Sequence, residues 1–425
     1  MSSVLEKPTA RRSTPSQVAI ESGLTHADLA PTLRPMPEAR TLSASLYTSP
    51  GVLRLEQEGL FAKTWLCVGR EADIPTPGDY FTHQIGGESV IVMRGGDGAV
   101  RAFYNVCRHR GARLLDAACG KGLSRVVCPY HAWTYRLDGT LAQVPRMDEG
   151  FERESFGLVP VRLGTWAGFI FLNLYADTEP LETYLADLPD LARFKMEELR
   201  LGKRIEYEVA ANWKLICENY SECYHCPGVH PQLFRISDHI ARHERVQETG
   251  ACFNGGPMML RDGYETMSMS GKRTVPIIEG LKPEDHRFVY YYVIYPNLLL
   301  SPHPDYVLTH TAWPIAPGRT KIICEFLFTQ EALARPDFDP TDMVEFWDVT
   351  NRQDWAACES VQRGLTSPHA LPGPLAPEED GVYQFVSHVG RAYAGLGRAA
   401  DARPSMKSEE VVPAEPAAAT DEATV

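Results

Sequence analysis

The sequence predicts an α+β protein in two units, a small β domain followed by a larger domain of helices packed on antiparallel strands. Three observations carry this reading. Short apolar runs of strand length, separated by Gly-rich turns, dominate the stretch from Ser89 to Leu174. Beyond about Leu181, segments with helical spacing alternate with further strand-like runs. The length, 425 residues, exceeds one ordinary domain of about 100 to 200 residues. Hydrophobic residues at 44% and charged residues at 23% match ordinary globular usage, which excludes wholesale disorder. A formal net charge of -13 without a basic run argues against a nucleic-acid partner. No stretch reaches the roughly 18 to 20 apolar residues that would span a bilayer, and the N-terminal segment lacks an apolar signal-peptide core, so a cytoplasmic protein is expected. Ten cysteines are too few for a disulfide scaffold, so they should bind metal or sit buried.

Residues 1–40, rich in Ser, Thr, Pro and Arg, read as a flexible leader, and 396–425 as a disordered tail. Between them the expected division is 41–175 for the β domain with its N-terminal helix and 176–395 for the second domain. A helix is expected over Pro50–Trp65. Strands are expected at Ser89–Arg94, Val100–Val106, Arg125–Pro129, Ala132–Leu137 and Ala167–Leu174, with hairpin turns at Gly95–Gly98 and Leu137–Thr140. Then come a helix around Leu185–Phe194, a strand around Arg204–Ala210, and a helix from Asn212 as N-cap to about Tyr224. Strands at Phe288–Ile294, Asp305–Trp313 and Lys321–Phe328 precede a long helix starting near Asp339, with Pro340 in its first turn.

Two constellations carry chemistry. Cys107-Arg108-His109 and Cys128-Pro129-Tyr130-His131 each sit where a strand ends in a tight turn, so two loops offer four soft or borderline ligands. The residues alone admit either a structural Cys2His2 zinc or an iron-sulfur cluster with two thiolates on one iron and two imidazoles on the other. Cys67 and Cys119 fall outside this pattern and read as structural.

The second constellation is Glu222-x-x-His225-x4-His230. Glu222 and His225 share a helical face, Pro227 and Gly228 end the helix, and His230 can swing back toward the same point. Two histidines and one carboxylate with open positions are what non-haem Fe(II) enzymes use. A second carboxylate candidate is Asp354, centred in the stripe Met343, Trp347, Thr350, Ala357, Cys358, Val361 and Leu365, with Glu345, Asp348 and Glu359 on the far side. An ionised acid on a core face needs a cation or hydrogen bonds to compensate it.

The first motif, Cys-x-His-Arg-Gly with Cys-Pro-Tyr-His-x-Trp, resembles the Rieske 2Fe-2S box of the ring-hydroxylating oxygenases, and the second resembles that family's mononuclear iron motif. The resemblance spans roughly Leu53 to Tyr393. It implies a Rieske domain plus a helix-grip, START-like catalytic domain, with Cys107, Cys128, His109 and His131 on the cluster and His225, His230 and Asp354 on Fe(II). Glu222 would then be no ligand but the acid that joins His225 of one subunit to His131 of its neighbour, which implies a homotrimer. Most aromatic-ring dioxygenases of the family carry Asp at this bridge. Glu222, with Glu-Cys-Tyr-His-Cys and Asn-Arg-Gln-Asp (Asn351 to Asp354), brings the chain nearer the branch acting on quaternary ammonium compounds such as glycine betaine, choline, carnitine or stachydrine.

No Gly-x-Gly-x-x-Gly opens a helix after a strand, so electrons from NAD(P)H should arrive through a separate flavin or iron-sulfur reductase or a ferredoxin. Tyr290, Tyr291, Tyr292, Tyr295, Trp313, Phe346 and Trp347 are candidates for an aromatic wall around a methylammonium group, a wall that equally suits an aromatic substrate. A non-enzymatic zinc module would explain the first motif but not the second, and a cysteine nucleophile at Cys223 or Cys226 would require His225 to act as a base.

Overall fold

The computed structural model describes residues 26–237 and 248–395. The first unit is a seven-stranded antiparallel sheet in the order β1-β10-β9-β4-β3-β2-β5, beside a three-stranded sheet, β6-β7-β8. Its strands are β1 (Leu66–Arg70), β2 (Tyr80–Ile85), β3 (Glu88–Arg94), β4 (Val100–Tyr104), β5 (Cys119–Gly120), β6 (Val126–Val127), β7 (Thr134–Tyr135), β8 (Leu141–Gln143), β9 (Pro160–Trp166) and β10 (Phe169–Asn173). Alternation along β3 explains why it is apolar throughout. Val90 and Val92 face the main body of the molecule, whereas Ile91 and Met93 pack with Phe103, Cys107, Cys128 and Trp133 under the Cys/His loops. Both expected hairpin turns form, and Gly98 and Gly139 adopt left-handed φ values of 83° and 85° that favour glycine.

The second unit holds another seven-stranded antiparallel sheet, ordered β11-β17-β16-β15-β14-β13-β12. The strands are β11 (Arg200–Val209), β12 (Glu248–Thr249), β13 (Phe253–Met259), β14 (Phe288–Ile294), β15 (Leu298–Pro302), β16 (Val307–Ala316) and β17 (Arg319–Phe328). The helices that build the site are α1 (Trp213–Tyr220), α2 (Cys226–Val229), α3 (Pro231–Ile236), α4 (Thr341–Gly364) and α5 (Asp380–Tyr393). Every residue of β15 is buried. Leu298 and Leu300 join the core shared with Phe169 and Phe171 of the first unit, while Leu299 faces the helices. At this seam the Asn297 side chain donates to the Cys67 carbonyl at 2.9 Å and accepts from the Cys67 amide at 3.1 Å, so the two units are hydrogen-bonded as well as packed. Among the described residues no helix is long and apolar enough to cross a membrane.

Several sequence expectations need correction. Residues 26–40 of the expected leader are described and folded. Leu29 and Ala39 are buried, Ser387 of α5 donates to the Thr32 carbonyl at 3.3 Å, and Arg40 bridges Pro374. The rest of the leader and the whole expected tail lie outside the described residues. The expected helix over Pro50–Trp65 is α-helical at Pro50–Leu55 and widens to a π turn at Glu56–Phe61. It docks on α1 of the second unit, where Tyr47 donates to Glu218 at 2.8 Å and Trp213 to Glu56 at 2.9 Å. The expected helix over Leu185–Phe194 is absent. A short helix at Leu181–Tyr184 precedes it, and a 3-10 turn at Ala192–Phe194 follows, because the Pro and Asp residues between them break the period. Pro340 caps α4 rather than entering its first turn.

Candidate metal centres

The Cys107 and Cys128 loops share one backbone plan. In each, the cysteine amide donates to the carbonyl five residues on (Ala112, Trp133) at 2.8 Å. The amide four residues on (Gly111, Ala132) returns to the cysteine carbonyl at 3.0 and 3.1 Å. That fourth residue must turn left-handed, with φ of 75° at Gly111 and 59° at Ala132. The turn buries both cysteines, each 3% exposed, and carries the histidines to the surface. His109 is exposed and stacks on Trp133, His131 is half-buried beside Tyr130, and the two imidazole centroids lie 4.7 Å apart. Tyr135, missed by the sequence reading, accepts from the Arg108 amide at 3.0 Å, so its hydroxyl proton is free for the Cys107 sulfur at 3.3 Å. Burial, with the Cys128 sulfur alongside, pushes the Cys107 thiol up. Two thiols held side by side inside, with two imidazoles outside, form a donor set that fits a cluster with unlike ends.

The second group forms around α1 to α4. Asn212 caps α1 by accepting the Lys214 amide at 3.0 Å. Trp213 and Lys214 both bond Glu56, the Lys214–Glu56 pair being fully buried, and Tyr393 of α5 donates to the same carboxylate. The expected helix to Tyr224 stops at Tyr220, so Glu222 and His225 meet through a turn rather than along a helical face. Glu222 accepts the Tyr224 and His225 amides in that turn. Pro227 opens the short α2 instead of ending a helix, since a proline needs no donor in a first turn. His230, between α2 and α3, leaves helical backbone, with φ -121° and ψ 74°, and turns back toward His225.

The three predicted donors converge. His225 Nε2 and His230 Nε2 lie 3.2 Å apart, and Asp354 Oδ1 is 2.8 Å from His230 Nε2 and 3.2 Å from His225 Nε2. Each outer ring nitrogen is held by an acceptor. Glu222 Oε1 is 2.5 Å from His225 Nδ1, and Gln353 Oε1 is 2.8 Å from His230 Nδ1. These partners hold a proton on each Nδ1 and group both Nε2 atoms with Asp354, so a cation that displaced the remaining Nε2 protons would meet two imidazole nitrogens and a carboxylate. Burial would lower the His225 pKa, but Asp354 and Glu222 on either side hold it at about 10. Burial would raise Asp354, and the two histidines hold it below the usual carboxylate range. The group thus stabilises positive charge at its centre, as a site for a divalent cation must. Cys226 also points here, and its sulfur forms a compact group with His225 and His230.

Gln353 was missed although it adjoins Asp354; its neighbour Gln232 donates to it at 2.8 Å and fixes its amide. The α4 stripe also differs from expectation. Val361 is 49% exposed, and Gln362 is buried to accept the Asn212 amide at 2.8 Å. Asp348 and Glu359, expected on the far side, face the sheet, accepting from Tyr207 at 2.8 Å and from the Ala210 amide at 3.0 Å.

A cavity opens over the three donors, walled by Tyr220, Tyr291, His310, Trp347 and Trp355. Only Tyr291 and Trp347 of the expected aromatic wall line it. Strand alternation turns Tyr290 and Tyr292 to the opposite face, where they bond Asp285 and Glu248. Tyr295 bonds Asn254, Trp313 packs on His83, and Phe346 is buried beneath Trp347. Burial pulls His310 down to about 4 despite the nearby Asp354, so it presents a neutral ring to the cavity.

Residues 64–166 match the family pattern described as the Rieske [2Fe-2S] domain, and residues 196–395 that of the ring hydroxylating alpha subunit, catalytic domain. The chain is 32% identical to the glycine betaine monooxygenase oxygenase subunit of Pseudomonas aeruginosa, over 83% of this chain and 89% of the relative. It is 34% identical to the carnitine monooxygenase oxygenase subunit of Escherichia coli, over 78% of this chain and 85% of the relative. Among solved structures, a quaternary ammonium Rieske monooxygenase aligns with TM-score 0.72 at 29% identity, covering 87% of this chain and 99% of that one. Naphthalene 1,2-dioxygenase from Rhodococcus, at 22% identity and TM-score 0.70, covers 83% of this chain and 94% of its own and shares the fold.

Proposed function

Given that this chain belongs to the Rieske non-haem iron oxygenase family, as an alpha subunit homologous to quaternary ammonium monooxygenases, we propose that it hydroxylates or N-demethylates a small, glycine betaine-like quaternary ammonium compound. The observation that carries this reading is the similarity along both units to glycine betaine and carnitine monooxygenase oxygenase subunits, and the cavity is compatible with it. The rings of Tyr220, Tyr291, Trp347 and Trp355 line the space over His225, His230 and Asp354, and aromatic rings attract a methylammonium that cannot donate a hydrogen bond. His310, neutral above about pH 4, adds no competing charge.

In this proposal Cys107, Cys128, His109 and His131 hold the cluster, and His225, His230 and Asp354 hold the iron. When bound, the cluster supplies electrons one at a time and the Fe(II) activates dioxygen. Glu222 and Gln353 keep the Nδ1 protons of His225 and His230 in place and so fix both ring orientations. The cavity wall excludes water from the N-methyl group. Glu222 holds the Nδ1 side of His225, next to the exposed Tyr224, where a neighbouring subunit's His131 would approach it in a homotrimer. Exposed His109 and Tyr130 offer the approach for an electron-donating reductase.

The test is substrate-dependent oxygen uptake with formaldehyde release by the holoenzyme and a surrogate reductase. Glycine betaine, choline and carnitine are assayed against benzoate-type aromatic acids. Uptake and formaldehyde with a methylammonium compound are expected, and turnover restricted to aromatic acids would overturn the assignment.

A further inference from the structure

The loop that carries His225 also carries a disulfide. In Cys223-Tyr224-His225-Cys226 the two outer sulfurs are joined, with their Cα atoms 4.9 Å apart, while the other eight cysteines are free. Cys223 is 4% and Cys226 2% exposed, and both line the cavity over the proposed metal. The Cys226 sulfur lies 4.0 Å from His225 Nε2. Its position with His225 and His230 places three potential donor atoms within 4.8 Å of one another. A sulfur committed to a disulfide is a poor metal donor, whereas a free cysteine is among the strongest for soft and borderline metals.

We infer that Cys223 and Cys226 form a reversible redox pair that decides whether the mononuclear site has three donors or four. This rests on His225, His230 and Asp354 being that site. Oxidised, the pair withholds its sulfur and leaves the open two-histidine, one-carboxylate set. Reduced, Cys226 becomes a fourth donor and closes the site toward the tetrahedral sets typical of structural zinc. The oxidant class is hydrogen peroxide, the two-electron reduction product of the dioxygen this family consumes. The two thiols form the S–S bond, and their two hydrogens leave with the peroxide as two waters. A dithiol reverses the step, passing its two hydrogens to the protein sulfurs and closing its own disulfide. Because both sulfurs face the cavity, bound substrate should shield them from the reductant.

Peptide mapping and cobalt substitution test this. Tryptic peptide Leu215–Arg235 contains Cys217, Cys223 and Cys226. After acid quench with N-ethylmaleimide, peroxide-treated holoenzyme should carry one label on it and dithiothreitol-treated holoenzyme three. Three labels in both would overturn the proposal. Cobalt(II) is then loaded at the mononuclear site with the cluster retained, and X-ray absorption at the cobalt edge reads its neighbours. Nitrogen and oxygen alone are expected in the oxidised protein, and one added sulfur after reduction and removal of the dithiol. Cys223→Ser should show the sulfur without reduction, and Cys226→Ser in neither state. Cobalt that binds but never gains sulfur in reduced protein or Cys223→Ser overturns this proposal alone. Cobalt that binds nowhere among these forms overturns the metal-site reading along with it.

Discussion

The loops at Cys107 and Cys128 take four donors from two short turns, hide the sulfurs and expose the imidazoles, whereas His225, His230 and Asp354 come from two distant stretches of chain and meet beneath an aromatic cavity. Backbone hydrogen bonds frame the first site, since each loop closes on its own cysteine through the same pair, with Tyr135 and Trp133 beside them. The second is shaped by side chains reaching across the fold: Glu222, Gln353 and Gln232 set the rings, and the Glu56 cluster sets the helix before them. A site that exchanges electrons with partners needs surface and a rigid turn. One that manages dioxygen beside a substrate needs depth, and depth requires long-range support.

If that contrast holds, substitutions around the cavity should have larger and more separable effects than those in the loops. Asp354→Ala should do most, abolishing mononuclear iron and turnover while the visible spectrum of the cluster stays unchanged; an iron count unaltered by the substitution would remove Asp354 from the donor set. Glu222→Gln should retain both metals by elemental analysis yet lose activity toward the upper end of the about 10- to 100-fold typical of outer partners of a metal-bound histidine. Gln353→Ala should lower activity toward the lower end of the same range, since a neutral amide acceptor is weaker than a carboxylate. Steady-state oxygen uptake by the two variants reads that difference, and equal losses in both would erase the ranking.

Acidity offers a further separation. Burial raises Glu218 from 4.5 to about 7, more than the Tyr47 hydroxyl and Lys214 can offset. Its folded pKa exceeds its unfolded one, so this group favours the fold fully below pH 4.5 and that advantage is lost as pH rises toward about 7. The melting temperature of the wild type should therefore fall relative to Glu218→Gln as pH is raised through this window, with no matching change in the cluster spectrum. Parallel pH profiles of the two proteins would assign the dependence elsewhere. Smallest of all, Ala132→Gly relieves a left-handed alanine at about 1 kcal/mol and returns part of that through a looser unfolded chain. Its unfolding midpoint should rise slightly with the cluster intact, and a lowered midpoint would show that the alanine methyl matters more than its φ.

The same contrast explains what could be read from the sequence. The Cys/His loops were legible because their donors and the turns that aim them are local. Asp354 was legible as an acid on an apolar helical stripe. Gln353 was not, because a polar residue at the stripe's edge looks solvated until Gln232 and His230 are brought to it by α3. Tyr290 and Tyr292 were misplaced because three consecutive tyrosines leave strand facing ambiguous, and only the pairing of Gly256 with Tyr291 fixes which one turns to the cavity. The helix beyond Tyr220 was overextended because Glu222 takes over backbone amides that a continuing helix would have bonded to carbonyls.

The Glu56 carboxylate collects bonds from Trp213, Lys214 and Tyr393, two adjacent positions and one far along the chain. During synthesis the first two are available well before the third leaves the ribosomal tunnel. The foundation under the loop of His225 and His230 is therefore completed only when the last described helix is released, and a polypeptide halted before Asp380 would carry every proposed metal donor on an unfinished footing.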